Sequence, residues 1–144
     1  MGKAHSVVLT ITNKSGHDMT YKTDWFYSGR LSNGFGWPNK IPNGAVDVKI
    51  PCYERDGSLA GCSGYVTYDL FGTDITIAFC NPAVGNNTLG VGTTGKSVWE
   101  DMDCQNYGPF EVNITLHDKT KLVVESQCSG GATNLCTVKI EVDK

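Results

Sequence analysis

Six aromatic residues lie in or beside segments that are typical of loops, and they are well suited to contact a ligand directly. They are Trp25, Phe26, Tyr27, Phe35, Trp37 and Tyr53. Tryptophan and tyrosine combine an apolar ring with a polar tip, which suits membrane interfaces and the flat faces of sugars. The alternative is that about half of these rings fill the ends of the folded domain. The pattern therefore predicts recognition by aromatic faces.

Residues used in catalysis and metal binding are present, but not in the spacing that such sites require. His5, His17 and His117 share no ligand spacing with one another or with the cysteines, so we expect no metal site. No serine lies in a G-x-S-x-G nucleophile elbow. The carboxylates at 100–103 could form an acid–base pair, but the start of a helix explains them better. We expect a non-enzymatic protein without a cofactor.

The composition is typical of a small secreted domain. At 144 residues the chain is long enough for one domain, 1–144, with a buried core. The net charge of −3 gives no electrostatic reason to bind nucleic acid. No apolar run approaches the roughly 18 residues of a transmembrane segment. Six cysteines indicate disulfides and secretion, and the alternative is a cytosolic protein with buried thiols.

The stretch Gly61–Pro82 predicts a β-hairpin around which the other elements are arranged. Apolar and polar residues alternate on both sides of a turn at 72–74, and a flexible polar loop follows at 83–92. Strands are predicted at 6–12, 19–28, 45–50, 66–70, 75–80, 110–116, 122–126 and 136–142. A capping box over Ser97–Glu100 predicts a short helix. The predicted fold is all-β, a two-sheet antiparallel β-sandwich of about eight strands with one short helix.

The order of several short motifs resembles that of the actinoporins, the sea-anemone cytolysins whose β-sandwich is shared with fungal fruit-body lectins. The matching segments are Asn13–Gly16, Phe26–Gly29, Lys40–Ala45, Gly64–Tyr68, Asp74–Pro82 and the capped segment from Ser97. The resemblance implies an actinoporin/lectin-like sandwich. In actinoporins an amphipathic N-terminal helix forms the pore wall, whereas here only five residues precede Ser6. We therefore expect a protein that lacks the pore-forming helix.

The resemblance also implies binding residues by position. Ser28 and Pro82 match residues of the family's phosphocholine pocket, and Trp99 stands where the family has a tyrosine. Four other pocket positions differ from the family, namely Cys80, Thr88, Asp103 and Cys104. Because aromatic faces hold the quaternary ammonium of choline, these differences argue against sphingomyelin binding of the family type. With the nearby aromatic residues, the candidate ligand-binding residues are Trp25, Tyr27, Ser28, Trp37, Pro82 and Trp99.

The expected function is recognition of a cell-surface lipid headgroup or glycan, through loops at one end of the sandwich. Two alternatives stay open. The chain could be a pore-forming cytolysin, a toxin whose membrane-inserting helix is missing from the given sequence. It could also be a small secreted effector, elicitor or defence protein that a host receptor recognises.

The six cysteines allow 15 pairings. Two pairs flank polar loops, and each could close a short ring. The resemblance implies a third pair, because its two positions both line the family's headgroup pocket and should lie within disulfide distance. The predicted disulfides are, in that order, Cys52–Cys62, Cys128–Cys136 and Cys80–Cys104. The third bridge would fill the floor of the former pocket.

Overall fold

The structure is a computed structural model that describes residues 5–56, 60–102 and 109–144. The described residues form eleven strands and one helix. These are β1 (Ser6–Lys14), β2 (Met19–Ser28), β3 (Arg30–Leu31), β4 (Lys40–Ile41), β5 (Val48–Tyr53), β6 (Gly61–Leu70), β7 (Thr73–Pro82), β8 (Thr88–Gly92), α1 (Lys96–Glu100), β9 (Phe110–Thr115), β10 (Lys121–Gln127) and β11 (Thr133–Val142).

The strands form two sheets packed face to face. The six-stranded sheet has the order β3-β5-β1-β11-β10-β9, and the five-stranded sheet has the order β4-β2-β6-β7-β8. The described pairs are antiparallel except β1 and β11, which run parallel from Ser6 opposite Thr133 to Lys14 opposite Glu141. The predicted two-sheet sandwich with one short helix is confirmed, and the β1–β11 pair is its parallel exception.

Three strands lie where the sequence predicted loops, which raises the strand number above the expected eight. β3 and β4 are two-residue strands at the sheet edges. β8 lies in the predicted flexible loop 83–92, where Leu89 and Val91 alternate with outward residues and are buried against the core. Two inward side chains in five residues are too short a pattern to predict a strand, but pairing with β7 supplies the backbone hydrogen bonds.

The core consists of the inward side chains of both sheets. Its largest fully buried side chains are Leu9, Ile11, Met19, Ile41, Ile50, Tyr68, Leu70, Ile75, Ile77, Phe79, Leu89 and Leu116. Each buried side chain of this size stabilises the fold by about 1.5–3 kcal/mol. The Tyr68 hydroxyl donates a hydrogen bond to the Pro38 carbonyl at 2.8 Å, which satisfies its polar end.

The β6–β7 hairpin is confirmed, and its turn is shorter than predicted. Pairing runs without a break from Gly61 opposite Pro82 to Leu70 opposite Thr73. The turn consists of Phe71 and Gly72, with φ values of 49° and 83°. Positive φ at both central residues is the geometry of a type I′ turn, whose twist matches that of the strands. Of the expected turn at 72–74, Gly72 lies in the turn, whereas Thr73 and Asp74 already belong to β7.

The helix lies where it was predicted, but the predicted capping box is wrong. Gly95, with φ of 62°, occupies the N-cap, and no side chain caps the helix. Ser97 lies inside α1, where its backbone N–H donates to the Thr94 carbonyl at 3.4 Å. A positive φ at Gly95 turns the chain two residues earlier than the sequence pattern indicated. The described residues contain no helix with the length and apolar character to cross a bilayer.

Buried asparagine side chains join the two sheets near the start of β1. Asn81 on β7 donates to the carbonyls of Ser6 and Ala132, each at 2.9 Å. Asn134 on β11 donates in the opposite direction, to carbonyls of β7 and β8 at 3.0 and 3.2 Å. Asn87 donates to a carbonyl of the loop before β11 at 2.7 Å. These amides supply hydrogen bonds to backbone carbonyls where the two sheets meet, and buried backbone groups require such partners.

We predict that Asn134→Ala lowers the free energy of unfolding by about 2–4 kcal/mol, because it removes hydrogen bonds from this buried amide to the backbone of Cys80, Thr88 and Ser129. Asn113→Ala is the matched control, since Asn113 is exposed on β9, and it should change stability by about 0.5 kcal/mol or less. Urea denaturation measures both. Equal losses in the two variants would contradict a structural role for the buried amide.

Four buried cysteines lie in the core. The thiols of Cys52 and Cys62 form a hydrogen bond between the two sheets, which together with burial raises the pKa of Cys52. Gln127 lies opposite Thr137, so the same register places Cys128 opposite Cys136. Cys104 lies outside the described residues, and with it the predicted Cys80–Cys104 bridge. The three disulfides stay predictions.

We predict that the chain, expressed through an oxidising secretory route, contains the Cys52–Cys62 and Cys128–Cys136 bridges, since both pairs are neighbours in the core. Non-reducing peptide mapping identifies them. A Cys52–Cys136 bridge would contradict this arrangement. Those residues lie on strands separated by β1, about 9.5 Å apart. A disulfide spans only about 4.4–6.8 Å between Cα atoms.

Candidate functional site

Four aromatic rings meet on the outer face of the five-stranded sheet. Trp25 and Tyr27 come from β2, Tyr65 from β6 and Trp99 from α1, and we call them the aromatic cluster. The ring centroids of Trp25 and Trp99 are 4.9 Å apart at 82°, an edge-to-face contact. Tyr27 lies 5.3 Å from Trp99, and Tyr65 lies 5.8 Å from Trp25. Such contacts fix ring orientation.

Trp25 and Tyr27 lie two residues apart on β2 and share this face, and a β-bulge at Tyr27 then brings Ser28 onto it as well. Phe26 lies opposite Gly64 and Ser28 opposite Ser63, so Tyr27 is an extra residue on the β2 side. A Cβ atom at Gly64 would collide with the Trp25 carbonyl oxygen and lie 3.0 Å from the Phe26 Cα. A glycine on β6 therefore permits the close approach of the bulged strand.

A row of small polar side chains crosses the sheet beside the cluster. Ser28, Ser63, Cys80 and Thr88 lie opposite one another on β2, β6, β7 and β8, and we call them the polar row. The Trp99 indole donates from Nε1 to the Ser63 Oγ at 2.7 Å, which connects the two groups. Burial raises the pKa of the Cys80 thiol, while hydrogen bonds with the Ser63 and Thr88 hydroxyls lower it. The row is therefore uncharged.

Small residues on β8 let α1 lie close to the sheet. A Cβ atom at Gly90 would lie 2.9 Å from the Met102 Cγ, and one at Gly92 would lie 2.9 Å from the Val98 Cγ2. Val98 and Met102 thus pack over β8. Trp99, the next residue after Val98, contacts β6 through Ser63. A groove of about 610 Å³ lies along the β8 side of the helix.

The cluster is open to solvent at one ring and contacts a lysine at another. The Tyr27 side chain is 68% exposed, whereas Trp25, Tyr65 and Trp99 are half-buried. The Lys96 Nζ lies 4.6 Å from the centroid of the Trp25 ring, within the range of a cation–π interaction. No group of three or more metal-ligating side chains occurs among the described residues.

The structure brings most of the predicted site residues together. Trp25, Tyr27, Ser28 and Trp99 lie on one surface. Pro82 lies two residues beyond Cys80 on β7, so strand alternation places it on the same face at the strand end. Two of the pocket positions that differ from the family, Asp103 and Cys104, lie outside the described residues.

Trp37 does not belong to this surface. Its ring stacks on Phe26 at 6.4 Å and lies 6.2 Å from Phe79, on the inner side of the five-stranded sheet. It is packed against the core. The expected alternative, that some of the aromatic rings fill the ends of the sandwich, therefore describes Trp37.

Sequence reasoning missed three residues of the site: Ser63, Tyr65 and Lys96. Ser63 and Tyr65 alternate with Gly64 and Val66, so the predicted hairpin already placed them on the outer face. That alternation was the available signal. The sequence contains no such signal for Lys96, because its contact with Trp25 depends on where α1 packs on the sheet.

We predict that Trp99→Phe and Ser63→Ala are coupled by about 0.5–1.5 kcal/mol in a double-mutant cycle, since both remove the same indole–hydroxyl hydrogen bond. Urea denaturation of the two single variants and the double variant gives this coupling. Phe71→Leu combined with Ser63→Ala is the control, because Phe71 lies in the turn at the far end of β6. That pair should be additive, and additivity of the first pair would contradict the hydrogen bond.

No protein-family model matches the chain, and no curated protein matches it. Several solved structures are similar to the chain in fold. The lipid-binding protein Nakanori superposes with a TM-score of 0.76 at 14% identity, over 97% of this chain and 72% of that chain. The Xerocomus chrysenteron lectin XCL, in a mutated form, gives 0.56 at 15% identity, over 97% and 100%. RahU protein gives 0.57 at 10% identity, over 99% and 98%.

Identities of 10–15% show a shared fold. The β-sandwich fold that the order of the sequence motifs implied is therefore confirmed. The chain folds as an actinoporin/lectin-like β-sandwich.

Proposed function

We propose that this protein is a secreted, non-enzymatic recognition protein that binds a cell-surface lipid headgroup or glycan. The observation that carries the proposal is the aromatic cluster with its 68% exposed Tyr27, next to the polar row. Binding occurs on the outer face of the five-stranded sheet, near the end where β7 leads into the loop before β8.

The chemistry of this surface supports the proposal. Exposed aromatic faces stack on the apolar face of a sugar ring or on an alkyl headgroup, and hydroxyl groups beside them orient the polar substituents. The polar row supplies uncharged donors and acceptors at Ser28 and Thr88, both half-buried. Because α1 and the sheet hold the rings through mutual contacts, little side-chain entropy is lost on binding.

Two further observations support it. The similar structures include one described as a lipid-binding protein and one described as a lectin, which is the kind of function proposed here. Six cysteines, of which four lie in the core as two neighbouring pairs, favour a secreted protein that is stable in an oxidising compartment.

We predict that Tyr27→Ala weakens ligand binding about tenfold or more on a combined array of glycans and lipid spots, because it removes the most exposed ring of the cluster. Phe35→Ala is the matched control: Phe35 is 54% exposed but makes no ring contact with the aromatic cluster. The control should bind like the unmodified protein, and both variants should keep its urea midpoint.

Binding that survives Tyr27→Ala would place the ligand elsewhere on the molecule. An array on which the unmodified protein binds neither glycans nor lipids would contradict the proposed function. It would favour a secreted effector that a host receptor recognises.

A further inference from the structure

We propose that the aromatic cluster binds an acidic ring, meaning a sugar or cyclitol ring that carries a carboxylate, sulfate or phosphate group. In this proposal Lys96 pairs with the acidic group. The inference rests on the proposed function, because it assigns the ligand class of the same surface. It differs from a choline-binding site, in which aromatic faces hold a positive charge.

Lys96 is the basic residue that contacts the aromatic cluster. Its Nζ lies 4.6 Å from the Trp25 ring centroid, and the residue is exposed on the first turn of α1. Within the described part of the chain it forms no ion pair with a carboxylate, whereas Lys22 pairs with Asp74 at 2.7 Å. An ammonium group has three donors, and contact with a ring face leaves donors free for an anion.

The same contact disfavours a cationic ligand. The ammonium of Lys96 already occupies a face of Trp25, and the edge-to-face contact with Trp99 and the contact with Tyr65 cover other parts of that ring. A quaternary ammonium would have to displace Lys96 and then lie close to a like charge. Repulsion by Lys96 and the lack of a free face on Trp25 therefore both disfavour choline at this cluster.

The remaining rings offer a place for the sugar. Tyr27 and Trp99 lie 5.3 Å apart with their planes tilted by 33°, which leaves the exposed tyrosine ring available for stacking. Lys96 precedes Trp99 by three residues, so both side chains project from the same side of α1. An acidic substituent on a ring stacked at Tyr27 thus falls beside the Lys96 ammonium.

Glu100 is the acidic residue one helical turn after Lys96. It is exposed, and the ion pairs among the described residues do not include one between these two side chains. The hydroxyl and thiol groups of the polar row are uncharged. Within the described part of the chain, the acidic group of a ligand therefore meets a cation that is not paired with a carboxylate.

The experiment compares ligands that differ only in the acidic sugar. Isothermal titration with sialyllactose and with lactose tests the free glycans. Vesicles of phosphatidylcholine containing either lactosylceramide or the ganglioside that carries sialyllactose test the same headgroups on a lipid surface. Each is measured with the unmodified protein, Lys96→Gln, Lys96→Arg and the control Lys22→Gln.

We expect tighter binding of the sialylated ligand, and a loss of about two- to fivefold in Lys96→Gln, the upper part of the range of an exposed charge pair. Lactose binding should change by less than about twofold in Lys96→Gln, where no pair is lost. Lys96→Arg and Lys22→Gln should keep the preference. High salt should reduce it. Binding to the ganglioside vesicles alone would identify the lipid-borne form as the source.

Two results would overturn the inference while leaving the proposed function intact. One is equal binding of sialylated and neutral ligands that Lys96→Gln does not change. The other is preferential binding to phosphatidylcholine vesicles that carry no glycolipid. Failure of the unmodified protein to bind any of these glycans or vesicles would overturn the acidic-sugar inference, and the broader array with Tyr27→Ala would then decide the proposed function separately.

Discussion

The side-chain amide of Asn134 connects the core of this sandwich to its outer surface. From inside, it donates to the backbone carbonyls of Cys80 and Thr88, whose side chains belong to the polar row on the other side of the sheet. Asn81 makes the reciprocal connection toward β1. Buried hydrogen bonds of this kind have few alternative geometries, since each lost partner leaves a polar group without water. The floor of the binding surface is thus held by the core.

Close approach is the second constraint on the surface. α1 has only five residues, far fewer than an isolated helix needs to be stable, so its position depends on packing against β8 and on the Trp99–Ser63 hydrogen bond. The glycines of β8 permit this packing, as Gly64 permits the bulge of β2. The positions of the rings in the aromatic cluster therefore depend on glycines, which leave room for the helix and for the bulged strand.

Local alternation in the sequence was sufficient for long strands such as β1 and β11, because each buries mainly one face over nine or ten residues. It failed for β8, where the pattern is short, and at the start of α1, where a positive φ at Gly95 replaces a side-chain cap. It also could not separate Trp25 from Trp37. Both lie near other aromatic residues in the sequence, and only the packing of the two sheets makes one a surface residue and the other part of the core. The contact between Lys96 and Trp25 could not be predicted either, because it depends on the position of α1 on the sheet.

The parallel pairing of β1 with β11 determines where a tether, fluorophore or display scaffold leaves the protein. Because the first and last strands run in the same direction, β1 starts at the end of the sandwich that carries the polar row, while β11 finishes at the opposite end, beside Lys14. A tether, fluorophore or display scaffold joined after Lys144 leaves on the side away from the aromatic rings. The same cargo joined ahead of Ser6 starts from the end of the sandwich that carries the polar row, and so from the end nearer to the proposed binding surface.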